Sequence, residues 1–255
     1  MSGQIETRVA VVTGAAIGIG AAIAAQLAED GLTVLVSDLD EAKAAETAAE
    51  LRGKGWSAEP LELDVSKSNS IAAAFAKVKE RYGRCDVVVN NAGVAKTFPF
   101  LEFPLESFLT TMTVNVTGAL LCSQIAARLM MPRRWGRIIN IASVAGMRSV
   151  GSGRTAYGTS KAALIGLTRQ IASELAEHGI TANAVAPGPV DTPLTKVLHS
   201  EQFRGAYTAA IPMKRYGAPE EIASLVSFLA SEHAGYITGA AIPVDGGFMA
   251  AGAIT

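Results

Sequence analysis

Cysteine is nearly absent from this chain: Cys85 and Cys122 are the two it has, far apart and in no CxxC or Cys/His cluster. That pattern excludes a disulfide framework and a zinc site, so no metal is expected, and a reducing, cytoplasmic setting suits it. An excess of either charge is also missing, with 22 Lys and Arg against 23 Asp and Glu. The short basic cluster of Arg133, Arg134 and Arg137 does not extend into a stripe, so neither a nucleic acid nor a membrane surface is expected as partner. No uninterrupted apolar run reaches the ~18 residues of a membrane span, and Met1–Arg8 is too short and polar for a leader. Repeats, Pro/Ser-rich linkers and composition breaks are lacking, while 49% of the 255 residues are apolar. One domain over residues 1–255 with a sizeable core and a small-molecule partner is the expectation.

What the chain does have is a recurring alternation. Short β-branched runs predict strands at 8–14, 33–38, 85–91, 136–143 and 179–187, with weaker ones at 58–63 and 240–244. Ala-rich segments between them predict helices at about 18–30, 40–53, 67–82, 105–131, 155–178 and 218–231. Pro132 and Gly179 serve as stop signals for the fourth and fifth. Strands apolar on both faces, alternating with helices, imply an α/β fold with a parallel sheet covered on both sides. The longest stretch without regular patterning is 188–217.

The first strand runs into TGAAIGIG, which sets Gly14, Gly18 and Gly20 at a strand-to-helix turn. Such a turn brings backbone N–H groups to a pyrophosphate at the positive end of the next helix, although G-x3-G-x-G is not the usual G-x-G-x-x-G. The second strand ends in VSDLD, placing Asp38 where a carboxylate accepts adenosine ribose hydroxyls, whereas Asp40 suits a helix cap. A 2′-phosphate would meet the Asp38 carboxylate, and residues 15–17 and 37–40 hold no Lys or Arg to neutralise it. The cofactor expected is therefore NAD and not NADP.

In SGRTAYGTSK, Tyr157 and Lys161 stand four apart, on one face of the predicted helix. Further signals fall at the carboxyl ends of strands: LDV (63–65), NNAG (90–93), INIAS (139–143) and PGPVDT (187–192). In this order they resemble the short-chain dehydrogenase/reductase family, from residue 8 to the PVDGG at 243–247. The resemblance implies a single doubly wound Rossmann-type domain with seven parallel strands. It also implies a catalytic group falling on Asn115, Ser143, Tyr157 and Lys161.

For the cofactor it points to Gly14, Ile17, Gly18, Ile19, Gly20, Asp38, Leu39, Asp64, Val65, Asn91, Ala92, Gly93, Tyr157, Lys161, Pro187, Gly188, Val190 and Thr192. Tyr157 would act as acid/base, Ser143 would donate to the substrate oxygen, and Asn115 would hold a water that relays protons from Lys161. Lowering a phenol from about 10 by roughly three units takes about 4 kcal/mol, which one charge about 4 Å away supplies at an effective dielectric near 20. On that arithmetic Lys161 suffices, with the nicotinamide charge assisting.

The interval from Ser143 to Tyr157 is one residue longer than is common in the family, and the extra residue falls in RSVGSGR, beside the substrate. Val94, Ala95, Met147, Val150 and Gly153 are expected on one side of the pocket. A lid over 188–217 is expected to contribute Leu194, Leu198, Phe203 and Tyr207, and Arg148, Arg154, Lys196 and Arg204 are the charged side chains that would matter if turned inward. The mostly apolar set points to a neutral secondary alcohol and its ketone. A 3-oxoacyl-carrier-protein reductase is the alternative, opposed by Asp38 and by Ser173 where a docking Arg is typical, with Arg134 as another docking contact. A non-catalytic nucleotide sensor on the same fold is a further one. The resemblance also implies a homotetramer built through helices 105–131 and 155–178 and through the C-terminal strand and its neighbours; Ala119, Leu121, Ala126, Ala163, Leu164 and Leu167 give those helices small or apolar surfaces suited to it, although core packing needs similar residues.

Overall fold

Strand β1 (Val9–Thr13) shows how the sheet is covered. Its side chains alternate between two separate apolar clusters: Val9 and Val11 join one, Ala10 and Val12 the other, and all four are buried. In the computed structural model, which describes residues 7–198 and 200–251, β1 is joined by β2 (Thr33–Asp38), β3 (Ala58–Glu62), β4 (Val87–Asn90), β5 (Gly136–Ile141), β6 (Ile180–Pro187) and β7 (Ala241–Val244). The order is β3-β2-β1-β4-β5-β6-β7, every pair parallel. The reversal between β1 and β4 opens a crevice at the carboxyl ends of these two strands, where open sheets of this kind bind ligands.

Helices α1 (Gly18–Glu29), α2 (Glu41–Gly53) and α3 (Ser68–Tyr82) cross between the first strands. Asp40 caps α2 by accepting the Lys43 N–H, as predicted for it and not for Asp38. On the far half, α6 (Thr155–Leu175) packs on β6, and α9 (Pro219–Ala230) lies against α1. The long α6 ends through a tight turn at Gly179, whose φ of 72° lies in the left-handed region.

Three expectations are corrected. The single helix expected at 105–131 is α4 (Leu105–Met112) and α5 (Gly118–Met130), separated by a π turn at Thr113–Thr117. Leu105–Arg133 is apolar and long enough to cross a membrane by composition, but Cys122, Ala126 and Met130 are buried in the core. The stretch 188–217 is not irregular: it holds α7 (Pro193–Leu198) and α8 (Glu201–Ala210), the latter capped by Ser200 accepting the Phe203 N–H. Of the residues expected on assembly surfaces, Ala119, Ala126 and Leu164 are buried within the protomer and only Leu121, Ala163 and Leu167 keep partial exposure. The large exposed apolar side chains near those helices are Phe100, Leu101, Leu105 and Leu109.

Candidate active site

The β1–α1 turn is assembled by Asn91, which follows β4. Its Nδ2 donates to the carbonyls of Thr13 and Gly14, both at 2.9 Å, and its N–H donates to Thr13 Oγ1 at 3.0 Å. Both amide donors are thus spent on shaping the turn, which makes Asn91 a prop of the cofactor loop through its side chain. The two glycines flanking the turn do different things. A Cβ on Gly20 would collide with the Gly14 carbonyl, so Gly20 serves close packing. Gly18 has φ +62° and faces Thr192, so it borders the crevice itself.

The remaining cofactor candidates gather around that crevice. Ile17 and Leu39 are exposed, while the Ile19 side chain packs into the core and leaves only its backbone for a ligand. Asp38 ends β2 with one carboxylate oxygen accepting the Ala16 N–H and the other the Asp40 N–H, both at 3.1 Å. Lys43, three residues beyond Asp40, is close enough to feel Asp38 but is ion-paired with Asp40 at 2.7 Å. Asp64 spends its carboxylate on Ser66 and Lys67, which hold it below the usual range, and Val65 lies beneath Gly118. Ala92 and Gly93 continue from Asn91, with Gly93 facing Asn115 and Lys161. Pro187 ends β6, Gly188 bonds to the Val244 carbonyl, Val190 bridges to Gly217, and Thr192 is tied to Thr195.

Past β5 the four catalytic candidates converge. Ser143 is buried and its Oγ accepts the Ala145 N–H at 3.1 Å. Tyr157, in the first turn of α6, hydrogen-bonds with Ser143. Burial raises the phenol above its ordinary value, while that hydrogen bond and the charge of Arg154 pull it down. One turn on, Lys161 is buried, and its Nζ donates to the Ile141 carbonyl at 2.7 Å. Desolvation lowers its pKa to about 8. Asn115 sits in the π turn with Oδ1 accepting the Val94 N–H at 2.8 Å and Nδ2 donating to the Val94 carbonyl and to Ser160 Oγ. This network draws the helix out of its regular ladder, a recognised cause of such turns.

The geometry changes two parts of the expected mechanism. Lys161 Nζ lies 5.7 Å from the Tyr157 ring centre. Ser143 and Arg154 are the groups that pull the phenol down, so Lys161 does not carry that task alone. Asn115 has no side-chain donor left for a water, which makes it a positioning residue through its side chain. Sequence reasoning missed Ser160, its buried partner.

A cavity of about 760 Å³ opens at the start of α6, walled by Thr97–Phe100 on one side and Ser149–Thr155 on the other. The Phe98 N–H donates to the Gly153 carbonyl and ties the two walls together. Gly153 and Val150 line it as expected, and the RSVGSGR segment does lie against it. Val94, Ala95 and Met147 are not among its lining residues, and neither are Ser143 and Tyr157. The side chains of Leu194 and Leu198 lie outside the described residues. Tyr207 donates to the Val150 carbonyl at 2.9 Å and stacks on Phe248, which docks α8 beside the cavity. The lining is not mostly apolar. It includes Thr97, Ser149, Ser152, Thr155 and Thr159, with Arg154 as its one charged side chain.

A family model described as Enoyl-(Acyl carrier protein) reductase matches residues 14–249. The chain is 41% identical to the 3-oxoacyl-[acyl-carrier-protein] reductase FabG of Aquifex aeolicus over 96% of its own length and 99% of the relative's. Among solved structures, it resembles an acetoin dehydrogenase from Enterobacter cloacae, with TM-score 0.89, 42% identity and 99% of each chain covered. It also resembles a gluconate 5-dehydrogenase from Burkholderia cenocepacia, solved with NADP and tartrate, with TM-score 0.92, 32% identity and 98% of each chain covered.

Proposed function

The chain belongs to the short-chain dehydrogenase/reductase family, an oxidoreductase family that binds a nicotinamide cofactor, and from that membership we propose that it interconverts a ketone and a secondary alcohol with Tyr157 as the acid/base. The observation that carries this reading is the placement of Ser143 and Lys161 at the Tyr157 side chain, at the carboxyl end of β5. The turn, Asp38 and the exposed Ile17 and Leu39 fit an adenine dinucleotide. When bound, the cofactor supplies or accepts the hydride. Ser143 orients the substrate oxygen, Tyr157 gives that oxygen its proton in reduction and takes it back in oxidation, and Lys161 stabilises the phenolate left behind. The test follows NADH absorbance with purified protein over a panel of ketones and alcohols. Cofactor binding without turnover of any member would favour the nucleotide-sensor reading.

Among substrates, 3-oxoacyl thioesters stand ahead of simple neutral alcohols. The Aquifex relative carries that activity in its name, and the polar, roomy cavity removes the ground for an apolar pocket. Arg134, the candidate carrier contact, precedes β5 while Ser143 follows it, so about 20 Å of strand separates them. Acetoacetyl-CoA turned over faster than the best simple ketone would support the thioester. A keto or hydroxy acid is the competing reading, favoured by Arg154 in the cavity wall.

For the cofactor, Asp38 supports NAD over NADP, because its carboxylate would face a 2′-phosphate and Lys43 is already engaged by Asp40. Wild-type kcat/KM with NAD is expected to exceed that with NADP at least about tenfold, and Asp38→Ala to shrink the ratio by about the same factor. An unchanged ratio in that variant would remove Asp38 as its cause. A homotetramer is part of the same reading; light scattering at micromolar concentration checks it.

A further inference from the structure

Arg154 immediately precedes α6, and its guanidinium carbon lies 6.0 Å from the Tyr157 ring centre and 5.9 Å from that of Phe203 on α8. It is therefore held between the proposed acid/base and the helix that covers it. No other lining residue of the cavity carries a charge, and among the described residues no carboxylate pairs with this guanidinium. The acid on this side, Asp191, is taken by Arg204 Nη2 at 3.2 Å. Arg204 in turn lies over the Tyr216 ring at 4.3 Å, and its Nη1 is buried without a hydrogen-bond partner. Tyr216 feels the charges of both Arg154 and Arg204. Arg154 thus stands beside Tyr157 with no carboxylate to balance it, an arrangement that is costly unless a ligand completes it.

We propose that Arg154 forms a subsite for a carboxylate of the substrate, and that the enzyme acts on a short-chain keto or hydroxy acid. A guanidinium offers paired, coplanar donors that match a carboxylate and nothing in a neutral ketone or thioester. Because Arg154 is one ring's width from Tyr157, the carboxylate stands a few bonds from the reacting carbon. A cofactor phosphate does not account for the site. The dinucleotide turn and Asp38 lie at the ends of β1 and β2, whereas Arg154 faces the Thr97–Phe100 wall. The inference rests on the hydride-transfer reading, not on the choice of a thioester.

The test uses the full chain with NADH and three keto acids, pyruvate, acetoacetate and levulinate, each paired with its methyl ester, and acetoacetyl-CoA as comparator. At least one acid is expected to exceed its ester in kcat/KM about tenfold or more. In Arg154→Gln that acid-to-ester ratio falls by about tenfold to a hundredfold, chiefly through KM, and Arg154→Lys restores part of it. Calorimetric titration of the acids into the protein with NAD bound gives a second readout, with heat in the wild type and none in Arg154→Gln. Esters or the thioester favoured over every acid, a ratio unmoved by Arg154→Gln, or no heat from any acid would each overturn the subsite. Binding of an acid lost in Arg154→Gln, with no turnover of any compound, would support the subsite while refuting the hydride-transfer reading.

Discussion

Replacing Tyr157 with phenylalanine is expected to lower turnover by about a hundredfold to ten-thousandfold in both directions, with NADH affinity kept within about twofold. The substitution leaves the ring and removes one oxygen. Ser143 is not orphaned by the loss, since its Oγ still accepts the Ala145 N–H at 3.1 Å, so the fold has no cause to change. What disappears is the proton. Burial raises the phenol above its ordinary value in the free protein, so at neutral pH it is protonated and ready to donate to a carbonyl oxygen. Reduction therefore needs the form already present and stays level through neutral pH, falling only in the alkaline range. Oxidation needs the phenolate, and its rate rises with pH over the same interval. Ser143 and the Arg154 charge narrow the gap. The measurement is the pair of pH–rate profiles for the wild type beside single-pH rates for Tyr157→Phe. A variant within about tenfold of the wild type would leave the phenol without its role.

Of the four catalytic candidates, Ser143 was legible as a residue just past the end of β5, and Tyr157 and Lys161 as one helical face, whereas Asn115 followed only from the family resemblance. Asp38 and Asp40 could be told apart in the same way, one ending β2 and the other capping α2. The π turn was not legible, because its cause is a network that spans the chain. Asn115 reaches Val94, 21 residues away, and Ser160, 45 residues away. The cavity wall escaped for the same reason, since the Phe98–Gly153 hydrogen bond that closes it joins two loops distant in sequence. Helix α8 escaped because EQFRGAYTAA is polar and contains a glycine. The Ser200 cap ahead of Glu201 was the signal that could have found it. Whether Arg154 turned inward was a question of packing against Phe203 and Tyr157, which no sequence pattern decides.

The second large effect runs in opposite directions for activity and stability. Lys161 is 4% exposed, its Nζ bonds only the Ile141 carbonyl, and burial alone lowers its pKa from 10.5 to about 8. Because the folded value lies below the unfolded one, the folded chain binds fewer protons between those two values. The group thus works against folding at any pH below about 8, and the penalty fades as pH rises toward 10.5. The gap corresponds to about 3 kcal/mol. Lys161→Met removes the buried charge and strands the Ile141 carbonyl, a loss of about 1 kcal/mol. A net gain of roughly 1–2 kcal/mol is expected for the ligand-free protein at pH 7, a rise in Tm of a few degrees. The advantage over the wild type should close by about pH 10, where the wild-type lysine is largely neutral. Turnover should fall about a hundredfold at the same time, since the charge that stabilises the phenolate is gone. Thermal melts of both proteins at pH 7 and pH 10, with rates at pH 7, separate the two effects. A variant less stable than the wild type at pH 7 would mean that Lys161 is held there by attraction, and that its burial is not a cost the site bears for catalysis.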